Sequence, residues 1–323
     1  MLLKVNNLSL SYEETKVLKS LSFKMKEGEI LCILGESGCG KTSLLKAIRG
    51  FMDRDEGEIY FQDKRVFNKS EKLVPGTLGV AIVHQDFQLE PGFTVFDNIR
   101  HHLIKYKKSY QQSKTEEVIK ICKLNSIRNK KSNELSGGQK QKVALAKAII
   151  EEPPLLLLDE PFSNLDNISK KEFKDILKSV VEELNIGLLF VTHDSKDALT
   201  FSDQIIIIQN GKLLKKGSPE NLVSAPPSKY AAQLLGLVNL IKGEFIIKFC
   251  KEKLKQEAFY WIPFGNIKLS NGNEFSISET RFLGNEFCYL LTSDTFTIEY
   301  KSLTPITEGP FNISIKSPVL IEK

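Results

Sequence analysis

The sequence predicts an α/β fold, a parallel sheet covered by helices on both faces, followed by a small all-β domain. Short apolar runs such as "EILCIL" and "LLLLD" alternate with helical segments in the first part, and strands that alternate with helices form parallel sheets. One of these runs leads into a glycine-rich loop and a helix. Beyond Gly243 the chain breaks into short β-rich runs separated by turn residues, which predicts the second part.

The N-terminal region alternates apolar and polar residues up to Leu34, which predicts strands. Its last run, "EILCIL", is followed directly by "GESGCGKTS" and then by a helical pattern that ends at Gly50. Backbone N–H groups at the start of a helix favour phosphate, and glycine lets the main chain approach a ligand closely. The stretch is therefore predicted to bind phosphate.

This loop matches the pattern G-x-x-x-x-G-K-[ST] in full, between a strand and a helix as the pattern requires. We expect Lys41 to reach the β- and γ-phosphates of a nucleotide and the Thr42 hydroxyl to bind Mg²⁺. The alternative is a glycine-rich turn that matches by chance. The predicted nucleotide-binding residues of the loop are Gly35, Glu36, Ser37, Gly38, Cys39, Gly40, Lys41, Thr42 and Ser43.

The middle of the chain continues the alternation of strands and helices. "LGVAIVHQDF" predicts a strand that ends near Gln85, where the side chain can contact Mg²⁺ or water. From about Phe93 to Asn133 the pattern is polar and helical, and "LSGGQ" is followed by a helix through Ile150. This region is therefore predicted to be mainly helical and to place one polar side chain, Gln85, near the site.

Two carboxylates follow the strand "LLLL". Asp159 ends this strand, where the ligands of parallel sheets gather, so we expect it to hold Mg²⁺ directly or through water. Glu160 comes next and can orient the attacking water as a general base. The alternative is that the pair only begins a turn before Pro161. His193, after the strand in "LLFVTHD", is placed to contact the γ-phosphate and the water, although a lone histidine is more often structural.

Turn residues organise the remaining chain. Asn210-Gly211 lies between two apolar runs and predicts a hairpin. The tail then contains the β-rich runs "EFIIKFC", "AFYWIPFGNIKL", "TRFLG", "FCYLLT", "FTIEY" and "FNISI", separated by turn signals such as Asn271-Gly272 and Glu308-Gly309-Pro310. These runs predict the small all-β domain.

Composition limits the function. The net charge of +5 is small for 323 residues and argues against a dedicated nucleic-acid binder, so no nucleic-acid partner is expected. The five cysteines show neither metal spacing nor a disulfide framework, which suits a reducing compartment. The sequence shows no signal-peptide core and no apolar run near the ~20 residues of a spanning helix, so we expect another chain to cross any membrane involved.

Taken together, these motifs resemble those of the nucleotide-binding subunit of ATP-binding cassette (ABC) transporters, over roughly residues 1–235. The phosphate loop corresponds to Walker A, "LLLLDE" to Walker B with Glu160 as catalytic carboxylate, and "LSGGQ" to the family signature. The resemblance implies a P-loop NTPase core with a helical subdomain at about 88–140. It also implies that the protein is an ATP hydrolase that uses ATP and Mg²⁺. It further implies these roles: Tyr12 stacks on adenine, Gln85 is the Q-loop glutamine, "SNLD" (Ser163 to Asp166) is the D-loop, and His193 is the switch histidine.

The signature has a physical rationale as a second anion site. Ser136 caps the helix that follows, and Gly137 and Gly138 open it, so the helix N-terminus can receive phosphate. The family resemblance implies a head-to-tail homodimer in which each ATP lies between the Walker A loop of one copy and the signature of the other. The residues expected to contact nucleotide in this arrangement, besides those above, are Ser136, Gly137, Gly138, Gln139 and Asp166.

The tail segments "WIPFGNIKLS" and "ETRFLGNEFCYLLTSDTFTIEY" resemble the OB-like regulatory domain (TOBE type) of importer ATPases for sugars, polyamines, sulfate, molybdate and iron. The predicted domains are thus residues 1–236, which bind ATP, and residues 240–323, which are regulatory. The alternative for the second domain is a β-domain that only packs against the dimer or a partner.

The resemblance implies a peripheral protein at the cytoplasmic face of the inner membrane, where ATP hydrolysis drives solute transport through separate integral permease subunits. We expect an importer of the iron, polyamine, sugar or oxyanion type, which also works with a solute-binding protein. The alternatives are the ATPase of an efflux system and a soluble ABC-type ATPase of translation or DNA repair. The sequence does not contain the identity of the transported solute.

Overall fold

The computed structural model describes residues 1–12, 15–83, 87–306 and 309–321. The chain divides into two compact units, Met1–Pro219 and Glu220–Lys323. Within the described ranges, no helix combines the length and the apolar character needed to cross a bilayer. The predicted domain limits, 1–236 and 240–323, stay a prediction, since the division between the compact units falls earlier.

The first unit contains helices and strands in alternation. Its strands are β1 (Leu3–Tyr12), β2 (Thr15–Met25), β3 (Ile30–Leu34), β4 (Glu56–Phe61), β5 (Lys64–Arg65), β6 (Val80–Val83), β7 (Leu155–Asp159), β8 (Gly187–Thr192), β9 (Gln204–Gln209) and β10 (Lys212–Gly217). Its α-helices are α1 (Lys41–Arg49), α2 (Val95–Arg100), α3 (Lys108–Ile121), α4 (Gly137–Ile149), α5 (Asn167–Leu184) and α6 (Ser195–Phe201).

A mainly parallel sheet forms the centre of this unit, as predicted. Among the described residues its order is β10-β9-β3-β8-β7-β6, and only the β9–β10 pair is antiparallel. Every residue of β3 and β8 is buried, as in sheets that helices cover on both faces. Leu31 pairs with Leu189, and Leu189 with Leu157, so β3, β8 and β7 end at one edge of the sheet.

A second, antiparallel sheet of order β2-β1-β4-β5 packs on one side of the centre. The alternation of the N-terminal sequence explains it, because one face of β1 and β2 is apolar and the other polar. Leu10 and Leu21 of these strands join Leu45 of α1 and Leu157 of β7 in one fully buried apolar cluster. This cluster fixes the start of α1 against the central sheet.

The predicted hairpin between β9 and β10 is confirmed. Asn210 and Gly211 both have positive φ, 50° and 77°, as a two-residue hairpin turn requires. A Cβ atom at Gly211 would lie 2.4 Å from the carbonyl oxygen of Val17. The turn therefore demands glycine for its backbone angle and for its close contact with the second sheet.

The stretch predicted as polar and helical contains α2 and α3, joined by short 3₁₀ turns, and leads into α4. Its interior is apolar: Val95, Ile99, Val118 and Ile119 are fully buried. The Thr94 hydroxyl caps α2 by accepting a hydrogen bond from the amide of Asp97 at 3.0 Å. This layer carries the "LSGGQ" segment at the start of α4.

The second unit is β-rich. Its strands are β11 (Leu240–Lys242), β12 (Phe259–Trp261), β13 (Ile267–Phe282), β14 (Phe287–Thr292), β15 (Thr297–Ser302), β16 (Phe311–Ile315) and β17 (Val319–Ile321). Its helices are α8 (Lys229–Leu234), α9 (Gly243–Ile246) and α7 (Pro219–Ser224), which begins at the last residue of the first unit. The strands form sheets of order β11-β12-β17 and β15-β14-β13-β16. The rings of Phe249, Phe275 and Phe296 meet in their core with centroids 5.4 to 5.7 Å apart.

Two predictions for the second unit are wrong. "EFIIKFC" forms α9 and a 3₁₀ turn rather than a strand, because the buried residues Ile246 and Phe249 are three apart and not two. The predicted turn at Asn271-Gly272 lies inside β13. There the register shifts, so that Asn271 and Phe275 both pair with Phe311, and the glycine accommodates an irregularity of the strand instead of a reversal.

The buried position of β7 gives a stability prediction. Leu157→Ala should lower the free energy of unfolding by about 2–5 kcal/mol, since it leaves a cavity in a fully buried cluster. Chemical denaturation followed by circular dichroism measures this loss. Leu73→Ala, at a fully exposed leucine, is the control and should change it by less than about 0.5 kcal/mol. Equal small effects of both substitutions would contradict the packing described.

Candidate nucleotide-binding site

The glycine-rich loop between β3 and α1 has the backbone of an anion cradle. Gly38 and Gly40 have φ angles of 82° and 95°, which side chains disfavour. Gly40 precedes Lys41 at the helix start, with no side-chain cap on the first amides. A Cβ atom at Gly38 would meet nothing within 4 Å. The loop therefore borders open space at Gly38, and the first amides of α1 carry no side-chain cap, as phosphate binding requires.

Lys41 lies at the base of this cradle. It is only 7% exposed, and its Nζ atom donates hydrogen bonds to the carbonyl oxygens of Gly35 at 2.7 Å and Glu36 at 2.9 Å. These bonds compensate the burial of a charged group. The ammonium is held within the loop whose amides line the cradle, so its position is set before an anion arrives.

Cys39 packs inside the loop. An ideal Cβ atom at Gly35 would lie 2.7 Å from the Cys39 sulfur, so the loop folds tightly around the thiol. Burial raises the pKa of this thiol above its ordinary value, although Lys41 acts in the opposite direction. Cys39 is therefore a small packing residue and not a thiolate nucleophile.

Thr42 and Asp159 bring two oxygen ligands together from different elements. The Thr42 hydroxyl of α1 donates to Oδ1 of Asp159 at the end of β7, at 3.2 Å. Within the part of the chain that the structure describes, no group of three or more His, Cys, Asp or Glu side chains could hold a metal by itself. This hydroxyl–carboxylate pair fits Mg²⁺, which prefers oxygen and takes its remaining ligands from phosphates and water.

Glu160 lies next to Asp159 with a strained backbone. Its φ is 48°, a conformation that costs a non-glycine residue on the order of 1–3 kcal/mol and that clusters at functional sites. Its Oε1 atom is 2.9 Å from Nδ1 of His193, and its Oε2 atom accepts a hydrogen bond from Thr192 at 3.4 Å. The carboxylate is thus oriented by two side chains from the end of β8.

A cleft of about 400 Å³ joins these parts. Tyr12, at the end of β1, is 61% exposed and contributes an aromatic face to the cleft wall. The residues lining the cleft are Tyr12, Val17, Ser37, Gly38, Gly40, Lys41, Thr42, Ser43, Asp159 and Glu160. The structure therefore brings most of the predicted loop residues and both carboxylates around one space. Gln85 lies outside the described residues.

The "LSGGQ" segment is a separate open helix start. Ser136 accepts a hydrogen bond from the Gln139 amide at 3.4 Å, and the Gln139 side chain accepts one from the Ser136 amide at 3.1 Å. Ser136 and Gly137 are exposed. Among the described residues that line the cleft around Lys41, none belongs to this segment.

Asp166 caps α5 and also lies outside the lining of the cleft. Its carboxylate accepts hydrogen bonds from the amides of Ile168 and Ser169, both at 3.0 Å. The Ser169 amide, followed by the Ser169 hydroxyl, lowers the pKa of this carboxyl group. Asp166 therefore remains ionised and keeps the preceding "SNLD" turn in a defined conformation.

Gln141 is a further site-related residue that sequence analysis missed. It is only 7% exposed, and its side chain donates to the carbonyl oxygen of Pro161, directly after Glu160. It thereby links the "LSGGQ" helix to the carboxylate turn. Its position one turn before Leu145, on the apolar face of α4, was the available sequence signal.

Known proteins resemble this chain in both sequence and fold. The family model for ABC transporters matches residues 18–163. The spermidine/putrescine import ATP-binding protein PotA of Borreliella afzelii is 38% identical over 249 residues, covering 76% of this chain and 70% of that protein. The chain belongs to the ABC transporter family. This ABC transporter ATPase is as similar to the PotA protein of Borrelia garinii subsp. bavariensis, with 38% identity over 248 residues.

Solved structures agree with this assignment. CbiO1 from Clostridium perfringens, part of the ABC transporter complex cbiONQ, is 27% identical with a TM-score of 0.63 and covers 68% of this chain and 90% of its own. The ATP-binding cassette MJ0796, in a dimeric post-hydrolysis state with ADP and Pi, is 29% identical with a TM-score of 0.58. That match covers 67% of this chain and 98% of MJ0796. The P-loop NTPase fold of the ABC ATPases is therefore confirmed.

The buried ammonium gives a binding prediction. Lys41→Ala should weaken ATP binding by about 10- to 100-fold, because charge-assisted hydrogen bonds contribute about 1.5–3 kcal/mol each. Isothermal titration calorimetry measures the dissociation constant. The control is Lys46→Ala, at an exposed lysine of the same helix, and it should bind as the parent does. An unchanged affinity for ATP in Lys41→Ala would show that Lys41 does not contribute to phosphate binding.

Proposed function

We propose that this chain is the ATP-hydrolysing subunit of a polyamine importer and works as a head-to-tail homodimer. The observation that carries the proposal is the separation of two anion-binding surfaces in one chain. Lys41, Thr42, Asp159 and Glu160 surround one cleft, whereas the capped, exposed helix start at Ser136 lies outside its lining. A second copy, facing the opposite way, can supply the missing half of each site.

The polar and aromatic groups of the cleft have separate tasks in ATP binding. The loop amides and Lys41 bind the β- and γ-phosphates, and Tyr12 stacks on adenine. Thr42 and Asp159 would hold Mg²⁺, together with the predicted ligand Gln85, and the ion would neutralise phosphate charge. Thr42 and Asp159 already lie within 3.2 Å of each other, so little reorganisation is needed.

Glu160 accepts the proton of the attacking water as a general base. The hydrogen bond from Thr192 and the contact with His193 restrict the carboxylate to one orientation. His193 is half exposed, so its ring also has a solvent-facing edge that can contact the γ-phosphate. Water attack at the γ-phosphorus gives ADP and inorganic phosphate.

The second half of each site comes from the partner copy. The N-terminus of α4 faces the γ-phosphate through Ser136, Gly137, Gly138 and Gln139. Asp166, in the D-loop, lies at the same interface. ATP then joins the two copies, and hydrolysis removes the phosphate that joins them. The dimer closes with ATP and opens after hydrolysis, a two-state switch driven by its ligand.

Polyamine import is supported by the relatives, whose names are those of spermidine/putrescine import proteins. They favour import over the efflux alternative. As in an importer whose ATP-binding subunit is a separate chain, the solute passes through separate permease subunits, and this chain acts as a peripheral subunit at the cytoplasmic face of the membrane. A solute-binding protein delivers the polyamine. The β-rich second unit serves as the TOBE-like regulatory domain.

Glu160→Gln tests the catalytic base and the dimer together. It should keep ATP affinity, lower ATP turnover by about 10²–10⁴-fold and accumulate as an ATP-bound dimer in size-exclusion chromatography with light scattering. Adding Ser136→Arg should leave that variant monomeric but able to bind ATP. Glu182→Gln, at an exposed glutamate of α5, is the control. Parental turnover in Glu160→Gln, or a dimer that survives Ser136→Arg, would refute the corresponding role.

Uptake in cells tests the transported solute. Deleting the chain should reduce uptake of radiolabelled spermidine to background, because the permease loses its source of energy. The parental chain and Lys46→Ala should restore uptake, and Lys41→Ala should not. Unchanged spermidine uptake combined with lost uptake of radiolabelled iron or sulfate would replace polyamine by that solute and leave the ATPase assignment intact.

A further inference from the structure

A buried carboxylate with no part in the mechanism above lies between α5 and α6. Asp197 is only 2% exposed. Its two oxygens form ion pairs with Lys170 at 2.9 Å and with Lys174 at 3.0 Å. A buried ion pair contributes little net stability compared with apolar packing, because both charges lose water. The cluster therefore invites a functional explanation.

Lys170 lies in the first turn of α5, directly above the residue that caps this helix. Its amide makes the first helical hydrogen bond, to the carbonyl oxygen of Asp166 at 2.8 Å. Its Nζ atom also reaches Oδ2 of Asp194 at 3.5 Å. The backbone of Lys170 thus contacts Asp166, which caps α5. Its side chain contacts the carboxylates of Asp194 and Asp197.

Asp194 transmits this contact to the proposed catalytic pair. It follows His193 directly and caps α6 by accepting from the amide of Lys196 at 2.8 Å. Its own amide donates to the Thr192 hydroxyl at 3.0 Å, and that hydroxyl donates to Glu160 at 3.4 Å. Burial acts to raise the pKa of Asp194, but the Lys196 amide and the Lys170 charge outweigh it and lower that pKa.

Lys174 contacts the segment on the other side of Glu160. Its Nζ atom lies 5.1 Å from the ring centroid of Phe162, two residues after Glu160. The Phe162 ring packs edge to face against Phe190 of β8 and Phe201 of α6. The two lysines therefore contact both chain segments that carry the proposed catalytic side chains.

We infer that Lys170, Asp197 and Lys174 form a positioning cluster that keeps His193 against Glu160. The cluster also makes α5, the helix that follows the D-loop, move together with His193. The inference rests on the proposed ATPase mechanism. None of the three side chains lines the cleft among the described residues, so they act through His193 and not on ATP. Closure of the dimer at the D-loop is thereby coupled to the catalytic contact.

Asp197→Asn tests this role, because asparagine keeps the shape of the side chain and removes its charge. We expect kcat for ATP to fall by about 10- to 100-fold, because a misplacement of about 1 Å can cost about 100-fold in rate, with KM and ATP affinity unchanged. Asp175→Asn, at an exposed aspartate of α5, is the matched control and should keep parental kcat. An unchanged kcat in Asp197→Asn would overturn the inference.

A double-mutant cycle separates positioning from a general loss of structure. If Asp197 acts through His193, then Asp197→Asn should add less than about 2-fold to the loss caused by His193→Ala. Additive losses would overturn the positioning role and leave the proposed function intact. Parental turnover in His193→Ala would contradict the role proposed for His193 and, with it, this inference.

Lys170 provides a second route if Asp197→Asn does not fold. Lys170→Met leaves Asp197 paired with Lys174 and should lower kcat without changing ATP affinity, whereas Lys170→Arg keeps the charge and should restore most of the activity. The matched control is Lys171→Met, at the exposed neighbouring lysine. Equal kcat in the Met and Arg variants of Lys170 would overturn the inference.

Discussion

The parallel alignment of β3, β8 and β7 is the constraint on which the site depends. Because neighbouring parallel strands end at the same edge, the phosphate loop after β3, the carboxylates after β7 and the histidine after β8 converge there. The hydrogen bond from Thr42 to Asp159 joins residues 117 apart, and the contact between Glu160 and His193 joins residues 33 apart. Neither contact can form unless the strands keep their register.

Two buried charged side chains are held in fixed positions by neighbouring groups of the protein itself. Lys41 is held by carbonyl oxygens of its own loop, and Asp197 is held by two lysines of a neighbouring helix. Each group has lost most of its water and depends on a few defined partners. Such groups tolerate only one geometry, which suits a site that must be preorganised.

The two proposed anion-binding surfaces explain why each chain would supply only half of an ATP site and would need a second copy. The cleft supplies the groups proposed to bind phosphate and activate water, and the start of α4 supplies a helix dipole outside the lining of that cleft. Gln141 and the cluster around Asp197 link α4 and α5 to the turn after Glu160 and to the segment that carries His193. The surfaces proposed to meet the partner copy are thus connected to the catalytic groups inside each copy.

Sequence alone determined the features that depend on neighbouring residues. The phosphate loop, the apolar strands, the Asn210-Gly211 hairpin and the cap at Ser136 follow from local backbone chemistry and periodicity. Only the tertiary structure decided the pairing of Asp197 with Lys170 and Lys174, the bond from Gln141 to Pro161, the helical turn at Gly243–Ile246 and the continuous strand through Gly272. The reason is physical: these features depend on which distant segment packs against each residue, and local sequence does not encode that choice.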